Sequence, residues 1–530
     1  MTALTPGPTR HDDTPDQHTE DHPYVIIGAG PAGLQLSYYL QQAGSDYITL
    51  ERAAAPAEFF RHFPRHRRLI SLNKVHTTST DPEIRLRWDW NSLLHEPADL
   101  PFAKYSSEYF PHADDMVRYL TDFQRYHQLA VRFDTPVERI ERTDDGGFLV
   151  HTPDSTLRCR CVIVATGWGR PNIPDIPGIE HATGYEDMHT DPAAYAGQRV
   201  LILGKGNSAF ETASAILGHA AMIHLASPRP LRLAWNTKHP GDVRGHHGAV
   251  LDSYQFKTLH SVLDCVIDEI RPTDHGYRVH LTYTHADDET AVMDYESVLR
   301  CTGFAMDTTL FDTTCRPDMT PNGRMPTTTG DWQSTNIDGL YFAGTLAQAR
   351  DFKRASSAFI DGFRYNLRTL TALLRERYEG VPLTHSRIAR DADAATTLVL
   401  DRVNWSSALW TQFEFLCDAL VADPDGHLRH YTDLPEDHIR DRFRDHPHYY
   451  TIGLRWGRDD YGDVFAIERH PQPHRAAESA FIHPVIRRYH GDTLVDELHL
   501  LEDLLAEWRR PDRHVTPLRD WFARELHRNR

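Results

Sequence analysis

Two stretches of this chain repeat one local plan, and that repetition constrains the fold more than any other feature. "YVIIGAGPAGLQLSYYLQQAGSDYITLER" runs from Tyr24 to Arg52, and "RVLILGKGNSAFETASAILGHAAMIHLASPR" from Arg199 to Arg229. Each reads as an apolar strand, a glycine turn, a helix and a second strand, the opening of a parallel α/β sheet. In the first unit Gly28 permits the tight turn, Gly30 lets backbone approach a pyrophosphate, and Gly33 lets helix pack closely on strand. Pro31 and Ala32 open the helix, whose free N–H groups and positive dipole end suit phosphates. Glu51 closes the second strand 23 positions after Gly28, with Arg52 next to it. A carboxylate there accepts hydrogen bonds from a ribose diol.

The second unit carries Gly204, Gly206 and Ala209, with Asn207 and Ser208 opening its helix. The same count of 23 positions lands on Ser227, and Arg229 and Arg232 follow. A carboxylate would repel a 2′-phosphate, whereas a hydroxyl and guanidinium forks bind one, so this cradle points to NADPH. "CVIVATGWGRPNIPDIPG" and "SVLRCTGFAMD" each read as a strand followed by Thr-Gly, Thr166–Gly167 in the first, and carry the chain between the two nucleotide domains. "NIDGLYFAGT" sets a further strand beside Gly344, and "SSAFIDGFRYNLRTLTALL" then reads as a helix.

With 530 residues, two or three domains are expected, and a formal charge of −18 argues against a general nucleic-acid partner. No apolar run approaches the ~20 residues that cross a bilayer, and the start lacks a secretory pattern, so a cytoplasmic address and no membrane partner are expected. Residues 1–22, rich in Pro, Thr and Asp, read as a disordered tail. The six cysteines form no CxxC, which leaves no candidate for a redox-active dithiol. Cys159 and Cys161 flank one residue in a strand-like run and are expected to face one side of a sheet. The histidines show no metal-ligand spacing, so no metal is expected.

The order GAGPAG, acidic strand end, ATG, GKGNSA, second TG and FAG resembles the two-dinucleotide-binding-domain flavoproteins. Within them the chain resembles flavin-containing monooxygenases and, more closely, the FAD-dependent-oxidoreductase-domain proteins known from the endoplasmic reticulum. The specific stretches are "FFRHFPRHRRLISLNKVHT", "RWDWNSLL", "YSSEYFPHADDMVRYL" and "FKRASSAFIDGFRY", spanning roughly Pro23 to Leu370. The resemblance implies FAD in the first cradle and NADPH in the second. It also implies capture of molecular oxygen as a C4a-(hydro)peroxyflavin that oxygenates a heteroatom. Asn73 lies where those monooxygenases carry an asparagine beside the flavin, with Lys74 next, although the family's proline is missing here. An amide there can donate to a peroxide oxygen, or be an ordinary turn asparagine. Arg61, Arg65, Arg67, Arg68 and Lys74 have three readings: a pyrophosphate grip, an anion-orienting patch, or a solvated face. Trp88, Trp90 and Asn91 read as a pocket wall or a structural cluster. Gly184 and His189 do not reproduce the Phe-x-Gly-x-x-x-His of ketone oxygenators, which favours nitrogen or sulfur.

Beyond Thr371 the nucleotide motifs stop. "YYTIGLRWGRDDYGDVFAIER" reads as two strands joined by a Gly-Asp turn, and the apolar spacing of "LVDELHLLEDLLAEW" predicts an amphipathic helix. The expected division is a FAD domain in two parts (23–180 and 301–370), an NADPH domain (181–300) and an α+β extension (371–530). The extension caps the flavin domain or offers a partner or homodimer surface. The expected activity is an FAD- and NADPH-dependent monooxygenase acting on a small polar metabolite such as an amino acid, N-hydroxylation foremost. The alternatives are an NADPH:acceptor oxidoreductase or oxidase without oxygen transfer, and a flavin-bound interaction protein.

Overall fold

The computed structural model describes residues 19–234, 242–253, 257–458, 462–463 and 466–527. Two parallel sheets carry the nucleotide units. The first runs in the order Leu340–Phe342, Cys161–Val164, Tyr24–Ile27, Tyr47–Leu50 and Val131–Arg132, all parallel. The second places Thr183–Gly184, Ser297–Arg300, Arg199–Leu203, Met222–Ser227 and Ser261–Thr273 in parallel, then adds the antiparallel strands Gly276–Tyr283 and Thr290–Tyr295. Strands buried on both faces, such as Tyr24–Ile27 and Cys161–Val164, are continuous apolar runs because helices or a second sheet cover each side. Two crossings join the domains where Arg170–Pro171 pairs with Phe304–Ala305. Gly167 and Gly303 turn the chain there with φ of 65° and 81°, a region that favours glycine.

A third sheet, Thr19–Asp21, Thr156–Cys159, Phe148–His151 and Arg139–Arg142, lies against the first nucleotide sheet. Here the expected tail is corrected over its last residues. Thr19–Asp21 pair in parallel with Thr156–Arg158, and Glu20 receives both guanidinium nitrogens of Arg132 at 3.1 and 2.6 Å. Residues 1–18 lie outside the described residues. The shared orientation of Cys159 and Cys161 is also corrected. The chain leaves one sheet at Cys159 and enters another at Cys161, so the two side chains join different cores.

The helix Ile360–Glu379 runs through residue 370 and ends on Gly380 at a φ of 71°. It packs against the extension's six-stranded antiparallel sheet, ordered Ser386–Ala389, His427–Pro435, Leu416–Ala422, Tyr449–Arg455, His483–His490 and Thr493–His499. Alternation decides the layering. Ala419 and Val421 enter the core shared with the FAD-domain helices, while Leu420 enters the core under Ala392–Trp405 and Thr516–His527. The extension therefore shares one core with the flavin domain. Buried charge reinforces the seam. Arg402 contacts Asp418 at 2.5 and 3.0 Å and Asp433 at 2.8 Å, and Arg368 of the long helix reaches Asp433 at 2.7 Å.

The expected amphipathic helix over 494–508 is corrected to a strand and an irregular tail. Gly491–Asp492 make a tight turn at the end of His483–His490, so the chain folds back and Thr493–His499 pairs antiparallel with it. Leu504 and Leu505 stay 82% and 74% exposed, whereas Leu501 and Trp508 are buried. The first expected strand of the preceding pair exists as Tyr449–Arg455, but its neighbours are Leu416–Ala422 and His483–His490. Of the second, residues 464–465 lie outside the described residues and Ala466–Arg469 are not a strand.

Candidate functional site

Both cradles have the geometry that phosphate binding demands. At the first, Gly28 has a φ of 104°, and a Cβ on Gly33 would lie 1.9 Å from the Gly28 carbonyl oxygen, so helix and turn touch backbone to backbone. Nothing stands within 4 Å of a Cβ on Gly30, the position that must stay clear for a pyrophosphate. Pro31, Ala32 and Gly33 form the first turn of the helix Pro31–Gln42, and no side chain caps it. Elsewhere Asp81, His112, Asp391 and Ser406 cap their helices. Uncapped N–H groups above an open glycine are an anion site. Gly344, with a φ of 64°, brings the last strand so near that its Cβ would meet the Ala32 Cβ at 2.6 Å. Gly167 faces Thr345, and the Thr166 hydroxyl is buried without a partner.

Glu51 is buried and accepts hydrogen bonds from the backbone N–H of Ala29 at 2.7 Å and of Ala53 at 3.0 Å. Its carboxylate is thereby fixed at the strand end beside the glycine turn, while Arg52 is exposed. These residues fit an adenine dinucleotide: a clear pyrophosphate bed, an oriented acid for the ribose and an unsatisfied hydroxyl near the turn.

The second cradle repeats the bed on the helix Asn207–Ile216. Gly204 has a φ of 122°, Gly206 is open above the uncapped helix, and Ala209 is fully buried. Ser208 accepts from Thr212 through its carbonyl. Asn207 donates to the Asp242 carbonyl at 3.3 Å and accepts from the Arg244 N–H at 3.1 Å. At the strand end, Ser227 is half-buried and donates to the Arg229 carbonyl, while the Arg229 and Arg232 residues are exposed. Sequence reasoning left Lys205 out of the site. Its ammonium is buried, pairs with Asp264 across the strand from Ser227, and holds the Arg229 carbonyl at 3.0 Å. Its place between the two glycines was the available signal.

The region between the cradles sorts the remaining candidates. Asn73 is buried, and its amide donates to the carbonyls of Ser106 at 2.7 Å and Glu108 at 3.2 Å, with Lys74 exposed beside it. Its donor pair thus holds the 106–108 loop. The arginine cluster is also engaged by protein. Arg65 donates to the Met188 carbonyl at 2.9 Å, Arg67 to the Phe60 carbonyl at 2.6 Å and to Asp114, and Arg61 pairs with Glu58. Arg65 and His66 clasp the second domain: Tyr185 accepts from the Arg65 N–H at 2.9 Å and donates to Glu211 at 2.7 Å. Glu211 also accepts from the His66 N–H at 3.2 Å, and burial pushes its carboxyl up to about 7. Asn91 is tied to Ser71 and Leu72, and Trp88 lies against Trp410.

Sequence reasoning also missed Asp351, Asp361 and Arg244, the last with its guanidinium 5.5 Å from the Trp90 ring centroid. Burial pushes the carboxyls of Asp351 and Asp361 up to about 7, and each keeps one oxygen buried without a partner. Asp361 falls in a stretch quoted above and Asp351 just before one, but nothing in their spacing marks an acid that the fold will bury.

A family model described as pyridine nucleotide-disulphide oxidoreductase matches residues 25–344. The chain belongs to that family. It is 33% identical to FAD-dependent oxidoreductase domain-containing protein 2 of Danio rerio, across 94% of this chain and 83% of that protein. It is 29% identical to the indole-3-pyruvate monooxygenase YUCCA1 of Oryza sativa subsp. japonica, across 41% of this chain and 48% of that protein. Among solved structures, a flavin-containing monooxygenase from Stenotrophomonas maltophilia superposes with a TM-score of 0.52 at 21% identity, covering 68% of this chain and 99% of that one. The chain is thus a flavoprotein oxidoreductase with Rossmann-like domains, and FAD is the family's cofactor. Among the described residues no helix is long and apolar enough to cross a membrane.

Proposed function

We propose that this protein is an FAD- and NADPH-dependent monooxygenase that oxygenates a heteroatom, nitrogen foremost, of a small polar metabolite. One observation carries the reading: two phosphate cradles share the chain with six buried, free cysteines. Burial pushes the thiols of Cys159 and Cys301 up to about 12 and those of Cys265 and Cys315 up to about 11, and it also raises Cys161 and Cys417. None of them presents the thiolate that disulphide chemistry needs. Molecular oxygen is then the main remaining acceptor for electrons entering from a pyridine nucleotide.

FAD, when bound, accepts the hydride and passes electrons to oxygen. The balance is NADPH, a proton, oxygen and a substrate N–H giving NADP⁺, water and N–OH. Glu51 would hold the FAD ribose, the uncapped Pro31–Gln42 helix its pyrophosphate, and Ser227 with Arg229 the 2′-phosphate of NADPH. Lys205 neutralises Asp264, which would otherwise repel that phosphate. The Tyr185–Glu211–Arg65 clasp ties the 65–66 segment to the head of the second unit.

One observation favours a second reading, an NADPH oxidase without oxygen transfer. The Asn73 amide hydrogens are engaged by loop carbonyls, which leaves Asn73 no donor for sheltering activated oxygen. Stopped-flow mixing of NADPH-reduced holoprotein with oxygen separates the two. A monooxygenase gives delayed flavin reoxidation and a product heavier by one oxygen atom. Immediate reoxidation with stoichiometric hydrogen peroxide, across a panel of amines and amino acids, would leave the oxidase.

A further inference from the structure

Arg244 lies at the junction of the two nucleotide domains with two of its three guanidinium nitrogens unpartnered. Its loop is fastened on two sides. The Arg244 N–H is held by Asn207 at the head of the second cradle helix, and buried Asp242 pairs with Lys353 of the flavin domain. The guanidinium carbon sits 5.5 Å from the Trp90 ring centroid and 5.6 Å from that of Phe359. Those rings meet edge to face at 6.1 Å. The Nε and one terminal nitrogen, Nη2, are buried and have no hydrogen-bond partner. These two N–H groups lie along one edge of the guanidinium plane and match the two oxygens of a carboxylate. A buried N–H without an acceptor is unfavourable, so this edge is suited to a partner.

Asp361 supplies the complement. It opens the helix Ile360–Glu379, is 2% exposed, and keeps Oδ1 buried without a partner. Burial raises its carboxyl, opposed by Arg364 on its own helix and by Arg244 across the junction, while Asp89 adds to the rise. Arg364 itself is engaged by the carbonyls of Ser92 and Leu86 at 2.9 and 2.7 Å. A half-open cation and a buried acid therefore face one another's fields in an aromatic-walled junction, and neither is satisfied by protein.

We propose that this junction is the substrate site, and that it takes a small amino acid. The carboxylate docks on the Nε/Nη2 edge of Arg244 between Trp90 and Phe359, and an amine N–H donates to Asp361. The assignment rests on the oxygenase reading for the word substrate, but the binding claim stands apart from it. Guanidinium geometry selects a planar carboxylate over an amide, which would set an N–H against an N–H.

The test uses flavin-loaded protein titrated with common L-amino acids, each beside its carboxamide and beside the carboxylic acid lacking the amine, read by perturbation of the flavin spectrum. At least one amino acid should bind at millimolar concentration or tighter, about 30-fold better than its carboxamide. Arg244→Lys and Arg244→Gln should reduce that ratio toward one. Asp361→Asn should weaken the amino acid more than the acid without nitrogen. Binding without oxygenated product keeps this site and removes the oxygenase reading. Oxygenation of amines with no preference for the carboxylate keeps the reading and overturns this site. Failure of every carboxylate to bind wild-type holoprotein, or loss of flavin from both Arg244 variants with the ratio unchanged in what remains, also overturns it. The wild-type comparison of acid with amide decides the matter even if the variants fold poorly.

Discussion

The first cradle is sealed and the second is open at its rim. Glu51 is buried and anchored by two backbone N–H groups, and the helix behind it is buried on most sides. At the matching place in the second cradle, Ser227 is half-buried and Arg229 is exposed, with a buried Lys205–Asp264 pair beneath. Even the helix-packing position differs. Gly33 leaves no room for a methyl group, while Ala209 carries one without strain. A fixed, desolvated acid suits a dinucleotide that stays bound, because releasing it would expose an oriented buried carboxylate. Exposed cations suit one that exchanges each cycle. Under the proposed function, one local plan written twice serves a resident dinucleotide and a visiting one.

Substitutions can break that contrast, most sharply at Gly33. Gly33→Ala forces a methyl to 1.9 Å from the Gly28 oxygen, so backbone must move. A loss of about 3 kcal/mol in urea unfolding is expected, with little flavin retained on purification. The reverse change, Ala209→Gly, should cost only about 1 kcal/mol and leave flavin content intact. Equal effects of the two would dissolve the distinction. Next, Glu51→Gln should weaken FAD binding about 10–100-fold, as expected for a charged hydrogen bond worth roughly 2 kcal/mol. Fluorescence of released flavin on dilution reads this directly.

The clasp between the cradles predicts a pH signature. Glu211 is protonated in the folded protein up to about 7, against an ordinary value of 4.5. The folded state binds the extra proton, so the stability it contributes at low pH is lost as pH rises through that window. Glu211→Gln cannot titrate. Relative to wild type it should gain about 1–2 kcal/mol between roughly pH 5.5 and pH 7.5 in paired urea melts. A constant offset would mean that Glu211 is already ionised in the fold. The smallest effect is expected at the open rim: Arg229→Ala should raise the KM for NADPH about tenfold, near 1.4 kcal/mol, and that for NADH far less. Equal losses would remove the 2′-phosphate assignment.

Much of the nucleotide architecture was legible because its constraints are local. Gly28, Gly33 and Gly204 are demanded by backbone within a few residues, and Glu51 by its distance along one βαβ unit. The strands and the Thr-Gly crossings follow from continuous apolar runs. Local spacing misled where partners decide. The leucines of 494–505 have helical spacing, yet a neighbouring strand and the Gly491–Asp492 turn made part of that stretch an edge strand. The same limit applies to charge. Arg61, Arg65 and Arg67 form a dense basic run, but the fold uses them on its own carbonyls and carboxylates.

Sequence by itself determined that two strand–glycine turn–helix units exist, which glycines shape their turns, and that one ends in an acid and the other in hydroxyl and guanidinium groups. Tertiary structure alone decided which charges are left unsatisfied. Arg244 and Asp361 are separated by more than a hundred positions, and only the docking of two domains buries them beside one another. Turn geometry is written in neighbouring residues, whereas desolvation depends on everything packed around a group, and so a junction of buried charges leaves no local pattern to read.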